Sequence, residues 1–475
     1  MTGIPIMVSL QAFGLAHGRP INGFIVRKER KDTGRRRQIE GSVLSEPIVF
    51  LDDIVNAGAS LSRARAVLHQ CERDINEVVA LVDFGTSEIG EMLLRDGISL
   101  HSIISLDELG LERSKQPDTG TSANELFQIL WKFDPAIRPG ADLVPRSTPC
   151  IDETTLYYGT DSGDFYALDR FEGSVRWSFK TNRERGKGIR SSPIAHGELV
   201  YFGAYDGNFY ALERSTGNLR WQHYESDWIG SSPCVAQELN HIFVGVEHAK
   251  SGARGGLIAL DAKTGIKAWE IPFHDYVHGS PTFLSDLGLV VIGNNDGEVV
   301  CAHGASGEIQ WRTKTGGGVK SGLSYDLGRQ VLFVGSFDKC IYALDAVTGS
   351  IKWNFETGSL IYSTPLFYED RLFVSSTDKC FYVLDAISGS LIAKCRVGTK
   401  LFGSPILFRG KLYFGSTAGT VFEFDREHLR VSGKHQFLDK VINPIVFSEI
   451  DQTLYIVTAD AQIIAVQQLG ERRPF

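Results

Sequence analysis

A glycine at the same place in a short apolar strand recurs at Gly159, Gly203, Gly245, Gly293, Gly335 and Gly415, with Ser375 and Val457 in the two remaining slots. The successive separations are 44, 42, 48, 42, 40, 40 and 42 residues. One pattern fills each interval and is clearest in Ser191–Trp221, SSPIAHGELVYFGAYDGNFYALERSTGNLRW. Ser192-Pro193 opens an apolar strand, Val200–Gly203 is a second, Phe209–Leu212 a third and Asn218–Trp221 a fourth. Asp206-Gly207 and Thr216-Gly217 fall where tight hairpins need a residue that tolerates positive φ. Four short strands cannot bury their faces alone, and units of this kind at a period of about 40–45 residues stack as the blades of a β-propeller.

Eight segments open an inner strand, at or near Pro149, Pro193, Pro233, Pro281, Gly322, Pro365, Pro405 and Pro444. The fourth strands close on Trp177, Trp221, Trp269, Trp311 and Trp353, a place taken by Ala393 in the sixth unit and by about Lys434 in the seventh. The last unit stops at Ile463–Leu469 with no fourth strand, while Phe127–Phe133 (FQILWKF) is a fourth strand without a unit, Trp131 in register. Pairing these two closes the ring and removes a free edge. The expectation is an all-β propeller of eight blades over residues 126–470, with seven as the alternative if the weak final repeat forms no blade. The repeated tryptophans read as packing core, each worth about 3–5 kcal/mol on truncation to Ala.

The residues before this array have another character. Ile48–Asp53 (IVFLDD) is an apolar run ending in two acids, followed by the small-residue loop Ile54–Ser60 (IVNAGAS) and a helical pattern over Leu61–Gln70. Val78–Val82 is a second buried strand, so residues 1–112 read as a partial α/β domain. A small-residue loop running into a helix N-terminus offers backbone N–H groups to a phosphate. Two carboxylates at the strand end suit ribose hydroxyls or a magnesium ion held jointly with a diphosphate. An acidic strand end that merely caps a helix is the other reading. The polar, turn-rich segment 113–125 reads as a linker.

PIVFLDDIVNAGAS resembles the 5-phosphoribosyl 1-diphosphate (PRPP) motif of type I phosphoribosyltransferases, and its surroundings resemble the orotate phosphoribosyltransferase family. RKERKDTGRRRQIEG at Arg27–Gly41 is similar to that family's mobile catalytic loop, GIPIM at Gly3–Met7 to the segment after its pyrophosphate loop, and VVALVDFG at Val78–Gly85 to its next strand. The tail Gly97–Leu106 completes the likeness over about residues 3–110. The resemblance implies that Asp52 and Asp53 bind the ribose hydroxyls of PRPP and that Asn56, Ala57, Gly58, Ala59 and Ser60 cradle its 5′-phosphate. It implies contacts from Arg27 and Lys28 to the pyrophosphate and a catalytic role for Lys31 in stabilising the departing charge, with Mg2+ present only when PRPP is bound. The sequence departs from the family at Thr33, where His is usual, and at Asn56, where Thr is usual. Met1 falls where the pyrophosphate loop's lysine stands, which would place the first strands, that loop and the base-binding hood before it.

Repeats such as Tyr210–Trp221 and Tyr342–Trp353 resemble the PQQ-like repeat of quinoprotein dehydrogenases and outer-membrane assembly lipoproteins. Those enzymes set adjacent cysteines and a stacking tryptophan around the quinone, with carboxylate and amide ligands to calcium. The seven cysteines here, Cys71, Cys150, Cys234, Cys301, Cys340, Cys380 and Cys395, include no adjacent pair, so PQQ is not expected and neither is a metal site in the propeller. A second lead is the residue three before each opening position, where the chain enters the central channel. That ring reads Arg146, Arg190, Gly230, His278, Val319, Tyr362, Phe402 and Val441, with Lys320 one residue further on. Cations and aromatics around one mouth suit a peptide or acidic protein partner, against the alternative of a solvated rim. Two longer loops, Thr181–Arg190 and Glu247–Gly256, would add to that face.

A net charge of −8 argues against bulk attraction to nucleic acid or anionic membrane, and the basic run Arg27–Arg37 is accounted for by the mobile-loop likeness. No apolar run reaches the roughly 18 residues needed to span a bilayer. The first twenty residues lack the charged start of a signal peptide, and the cysteines are scattered and odd in number, which together predict a cytoplasmic protein. The functional expectation is a propeller-based binding or scaffold protein carrying a degenerate or ligand-sensing PRPP domain. The alternative is an active phosphoribosyltransferase whose missing N-terminus lies upstream.

Overall fold

In the computed structural model of the protein, the described residues are 25–26, 39–40, 48–55, 65, 68, 75–83, 93, 97–105, 126–135, 147–182, 188–248 and 254–469. The chain divides into two compact units, Met1–Ala123 and Asn124–Phe475. Arg27, Lys28, Lys31, Asn56, Ala57, Gly58, Ala59, Ser60, Arg146 and the linker 113–125 lie outside the described residues.

In the first unit the apolar runs become a parallel sheet of Val49–Val55, Glu77–Asp83 and Ser99–Ser105, in that order. Parallel neighbours need a crossover between them. Arg65 and Leu68 are helical, and Leu68 is buried together with Ile48, Ile75, Val78, Leu93 and Ile98. The side-chain amide oxygen of Asn76 accepts from the Ile48 N–H at 2.9 Å, fixing the start of the first strand beside the second. That strand runs two residues past the expected end, because Ile54 and Val55 pair with Val82 and Asp83. Asp52 and Asp53 therefore lie within the strand, Asp52 opposite Ala80. Ile25–Val26 and Ile39–Glu40 form a separate antiparallel pair.

The second unit is an eight-bladed β-propeller: eight antiparallel sheets of four strands, seven of them built from consecutive strands. Blade 1 runs from Cys150 to Lys180, blade 2 from Ile194 to His223, blade 3 from Cys234 to Phe273 and blade 4 from Thr282 to Lys314. Blade 5 spans Ser324–Glu356, blade 6 Leu366–Arg396 and blade 7 Ile406–Gln436. Blade 8 takes three strands from Val446–Gln468 and its outer strand from Phe127–Phe133, with Ala465 opposite Trp131 and Ile463 opposite Phe133. Blade 3 is longest because its second and third strands stay paired out to His248 and Arg254, which accounts for the 48-residue interval after Gly245.

The tryptophans join blades to one another. Each outer-strand indole donates to a carbonyl of the next blade: Trp131 to Arg170 at 3.0 Å, Trp177 to Arg214 at 2.9 Å, Trp311 to Ala346 at 2.9 Å and Trp353 to Ala386 at 3.1 Å. The ring lies on the turn glycine of that blade. At Gly265, whose φ is +71°, a Cβ would fall 2.4 Å from the Trp221 ring, and at Gly173 it would fall 2.5 Å from Trp131. Glycine is thus required twice over, by backbone conformation and by the indole against it. In blade 7 the equivalent position is Gly433, paired with Glu423, and not Lys434. Gly433 lies opposite Glu423 as Trp353 lies opposite Ala343, across the same outer-strand bulge, and Lys434 reads one residue late because no tryptophan marks the site. Leu126 fills the space of the missing ring, its side chain 2.5 Å from where a Gly433 Cβ would stand.

The inner strands make a second ring of contacts. Ser192 Oγ accepts from Thr148 N–H at 2.9 Å, Ser232 Oγ from Ser192 N–H at 2.9 Å and Ser404 Oγ from Thr364 N–H at 2.8 Å. Asn443 Nδ2 donates to the Ser147 carbonyl at 2.8 Å, joining blade 8 to blade 1 on the inside as Trp131 does on the outside.

Truncating Trp131 to Ala should cost about 3–5 kcal/mol in urea unfolding, within the range for buried large-to-small changes, and should release residues 126–135 to limited proteolysis before any other blade opens. The turn carboxylate Asp345 has its pKa lowered from 3.8 to about 2, first by Lys352 and then by N–H and hydroxyl donors of Thr348 and Val347. A depressed folded-state value stabilises fully above the unfolded value near pH 4 and is lost as pH falls toward 2. The difference in urea midpoint between the native chain and Asp345→Asn should therefore be constant above pH 5 and shrink between pH 4 and pH 2.

Candidate functional site: the channel mouth

In an antiparallel blade the turn between the second and third strands lies at the same end as the segment entering the next blade. Both therefore meet at one mouth of the central channel. A buried apolar residue pins each entering segment among the described residues: Ile189, Ile229, Val277, Val319, Ile361, Leu401 and Val441, all at most 1% exposed. These side chains explain the recurrent glycine. A Cβ at Gly203 would sit 2.2 Å from Ile229 Cγ2, and one at Gly293 2.2 Å from Val319 Cγ1. Backbone bonds tie the described entering segments to the neighbouring turns; in blade 2 Ile229 N–H donates to Ala204 O at 3.0 Å and Tyr205 N–H to Gly188 O at 3.0 Å.

The residue after each pin projects to the mouth, giving Arg190, Gly230, His278, Lys320, Tyr362, Phe402 and Ile442. Val319 and Val441, expected in this ring, are the pins beneath it, and Lys320 and Ile442 take the places at the mouth. The expected register failed in blades 5 and 8 because Leu323 and Ile445, not Gly322 and Pro444, stand immediately before strands Ser324–Asp326 and Val446–Ser448.

A second ring alternates with the first and was not anticipated: Asp161, Tyr205, Glu247, Asn295, Phe337, Thr377, Thr417 and Ala459. Each stands two residues beyond the recurrent glycine or its substitute, a spacing that could have revealed it. The two rings touch around the mouth. Arg190 lies 3.6 Å from Asp161 and 5.6 Å over the Tyr205 ring. His278 reaches Glu247 through Nε2 at 3.5 Å and Asn295 Oδ1 through Nδ1 at 2.9 Å. Lys320 Nζ lies 4.9 Å over Phe337, whose centroid is 4.4 Å from Tyr362, which is 4.9 Å from Phe402. Gly230 is a glycine because the Tyr205 hydroxyl occupies its side-chain space, 2.8 Å from a Cβ.

The mouth is divided by chemistry. Over blades 1 to 4 it holds Asp161, Arg190, Tyr205, Glu247, His278 and Asn295, and over blades 5 to 8 it holds aromatic, small and aliphatic side chains. Glu247 is 2% exposed and is fixed by its own backbone, which exchanges bonds with Trp228 at 3.0 and 3.2 Å. Burial, then the nearby Glu247 carboxylate, pushes the Tyr205 phenol up to about 12. Lys320 stands at the boundary between the halves. Burial holds its ammonium below the usual lysine value, against the opposing pull of Asp275 and Glu247. Among the described residues no carboxylate comes within ion-pair distance of Lys320 Nζ.

The six described cysteines are free and none adjoins another, and no group of three or more His, Cys, Asp or Glu side chains converges among the described residues. At the opposite end of the propeller a groove of about 560 Å³ is lined by Asp152, Arg176, Glu213, Arg214 and Arg220. Its charges are spent on one another: Arg214 pairs with Asp152, and Arg220 with Glu213 at 3.0 Å.

The first unit matches orotate phosphoribosyltransferases. It is 35% identical over 97 residues to that of Corynebacterium glutamicum (strain R), which is 20% of this chain and 52% of the relative. It is 36% identical over 107 residues to that of Aquifex aeolicus, 22% of this chain and 57% of the relative. The chain thus spans little more than half the length of these curated relatives. The second unit resembles the crystal structure of BamB from Moraxella catarrhalis, with TM-score 0.58 and 16% identity over 74% of this chain and 99% of that one. It also resembles the quinohemoprotein alcohol dehydrogenase of Comamonas testosteroni, with TM-score 0.60 and 13% identity over 76% and 79% of the two chains. At these identities the likeness is one of fold. The family model described as outer membrane protein assembly factor BamB matches residues 128–302 and 295–427, more than half of the 475 residues, and the chain belongs to this family of PQQ-like β-propeller proteins.

Proposed function

We propose that this is a propeller-based binding protein that holds a protein or peptide partner at the channel mouth, and that its first unit is a degenerate or ligand-sensing PRPP-binding domain. The observation that carries the reading is the pair of alternating rings. Fifteen described positions on a rigid closed scaffold gather the charged groups over blades 1 to 4, Lys320 at the boundary, and the Phe337–Tyr362–Phe402 arc beyond it. Recognition surfaces combine an aromatic centre with a polar surround in this way, and loops on rigid scaffolds are where such surfaces sit. The described charged groups at the mouth pair with one another, Arg190 with Asp161 and His278 with Glu247.

For the first unit, support comes from the likeness to orotate phosphoribosyltransferases and from the parallel sheet whose first strand carries Asp52 and Asp53. Those two acids suit the ribose of PRPP with Mg2+, and Asn56–Ser60 suit its 5′-phosphate. The second reading, an active phosphoribosyltransferase joining PRPP to orotate with release of pyrophosphate, is favoured by the basic run Arg27–Arg37, which includes Lys31.

Calorimetry with PRPP and Mg2+ should give saturable heat that weakens at least ten-fold in Asp53→Asn, without pyrophosphate release on adding orotate. Pyrophosphate release would establish the enzymatic reading, and the absence of heat would remove PRPP from the proposal. For the propeller, random heptapeptides displayed on phage and panned on the intact chain should yield clones that lose binding to Tyr362→Ala and keep it on Ile387→Ala at the opposite end. Clones indifferent to Tyr362 would overturn the mouth as the binding face.

A further inference from the structure

Resting on the reading of the mouth as a binding face, we propose that its ligand is an acidic peptide in which a carboxylate stands next to an aromatic or aliphatic side chain. The carboxylate meets Lys320 Nζ, and the apolar side chain lies on the arc formed by Phe337, Tyr362 and Phe402.

Three observations lead there. The first is the state of Lys320. Its neighbours in the ring sequence have opposite charges already matched, Arg190 by Asp161 and His278 by Glu247 when the imidazole is protonated. Lys320 is half-buried with its ammonium over the Phe337 ring, and no carboxylate among the described residues reaches it. A desolvated ammonium gains most from one well-placed anion, through a charge-assisted hydrogen bond. The second is the arc itself. Phe337, Tyr362 and Phe402 are in ring contact across three successive blades, at centroid separations of 4.4 and 4.9 Å, and Phe402 at 8% exposure forms its floor. Rigid aromatic faces of this kind anchor apolar side chains at little entropic cost. The third is the sign of the field around them. Asp161, Glu247 and Asp275 lie on the polar side and repel anions there, so a dense polyanion such as nucleic acid, which spreads over both sides, is disfavoured more than a ligand whose single carboxylate sits at Lys320. Because the ring positions come from successive blades, an extended chain can engage Lys320 and the arc together.

The test uses the Tyr362-dependent heptapeptides selected on the intact chain. They should be enriched in Asp or Glu adjoining Phe, Tyr, Trp or Leu. A synthetic copy of the tightest binder should lose at least ten-fold in affinity on Lys320→Met and on Lys320→Gln, each checked by thermal melting for an unchanged fold. It should lose as much when its acid is replaced by the amide on the native chain. The two changes together should cost no more than either alone, because they remove the same pair. If the amide peptide binds the native chain as tightly, or if Lys320→Met and Lys320→Gln leave affinity unchanged while Tyr362→Ala abolishes it, the carboxylate contact is wrong and the mouth remains a binding face. If no Tyr362-dependent peptide is selected, the reading of the mouth itself fails and this proposal with it.

Discussion

A sheet built by repetition has two ends, and each end exposes strand edges and an uncovered apolar face. In this propeller both are removed by one non-covalent join, the pairing of Ile463–Gln468 with Phe127–Phe133. That single register places Trp131 against Gly173 of blade 1, so the outer strand of the last blade packs as the covalently continuous ones do. It also aligns the inner edge, where Asn443 bonds to Ser147. The cost of such a join is the entropy of closing a loop of more than 300 residues, which grows only logarithmically with length. Two interfaces gained at once outweigh it, and the remaining blades inherit a fixed circumference.

Given that circumference, the mouth follows from a few repeated steric facts. An apolar pin occupies the space above each recurrent glycine, and backbone bonds tie the described entering segments to the neighbouring turns. The side chains that follow each pin, and those two beyond each glycine, are held at fixed places, some of them buried as Ile442 and Glu247 are and others half-buried as Arg190 and Lys320 are. Blade geometry is secured by Ile189, Val319 and their equivalents, so the residue after each pin can differ in chemistry from blade to blade, as Arg190 and Tyr362 do. This separation lets one half of the mouth be ionic and the other aromatic while the eight blades stay closely alike.

Much of this was legible in the sequence because the repeat states its own period. Eight blades could be counted from the glycine series even where Ser375 and Val457 replaced it, since flanking strands kept their apolar character. The indole positions could be read as core, but not as links between blades, because a one-dimensional repeat does not say whether a side chain turns to its own sheet or to the next. Register failed where a marker was weak. Gly322 and Pro444 read as strand openings that belong to Leu323 and Ile445, and without a tryptophan in the seventh outer strand its position reads one residue late, at Lys434 in place of Gly433. The second ring at the mouth escaped notice because its members share a spacing and no chemistry: Asp161, Glu247 and Phe337 have no common residue type to draw the eye. In the first unit the strand with Asp52 and Asp53 was readable from its apolar run, while its two extra residues depended on pairing with Val82 and Asp83.

The contrast between Lys320 and Arg190 shows how the same ring position acquires different roles. Both follow a buried pin and both lie over an aromatic ring of the second ring, Tyr205 for Arg190 and Phe337 for Lys320. Arg190 also has Asp161 one blade back, and the equivalent place for Lys320 is Asn295, which is neutral and bonded to His278. A single exchange of carboxylate for amide at that position therefore leaves Lys320 without a carboxylate at ion-pair distance among the described residues, beside the arc of Phe337, Tyr362 and Phe402. Internal pairing fixes Arg190 against Asp161, while at Lys320 the described residues supply an aromatic face and no carboxylate at ion-pair distance.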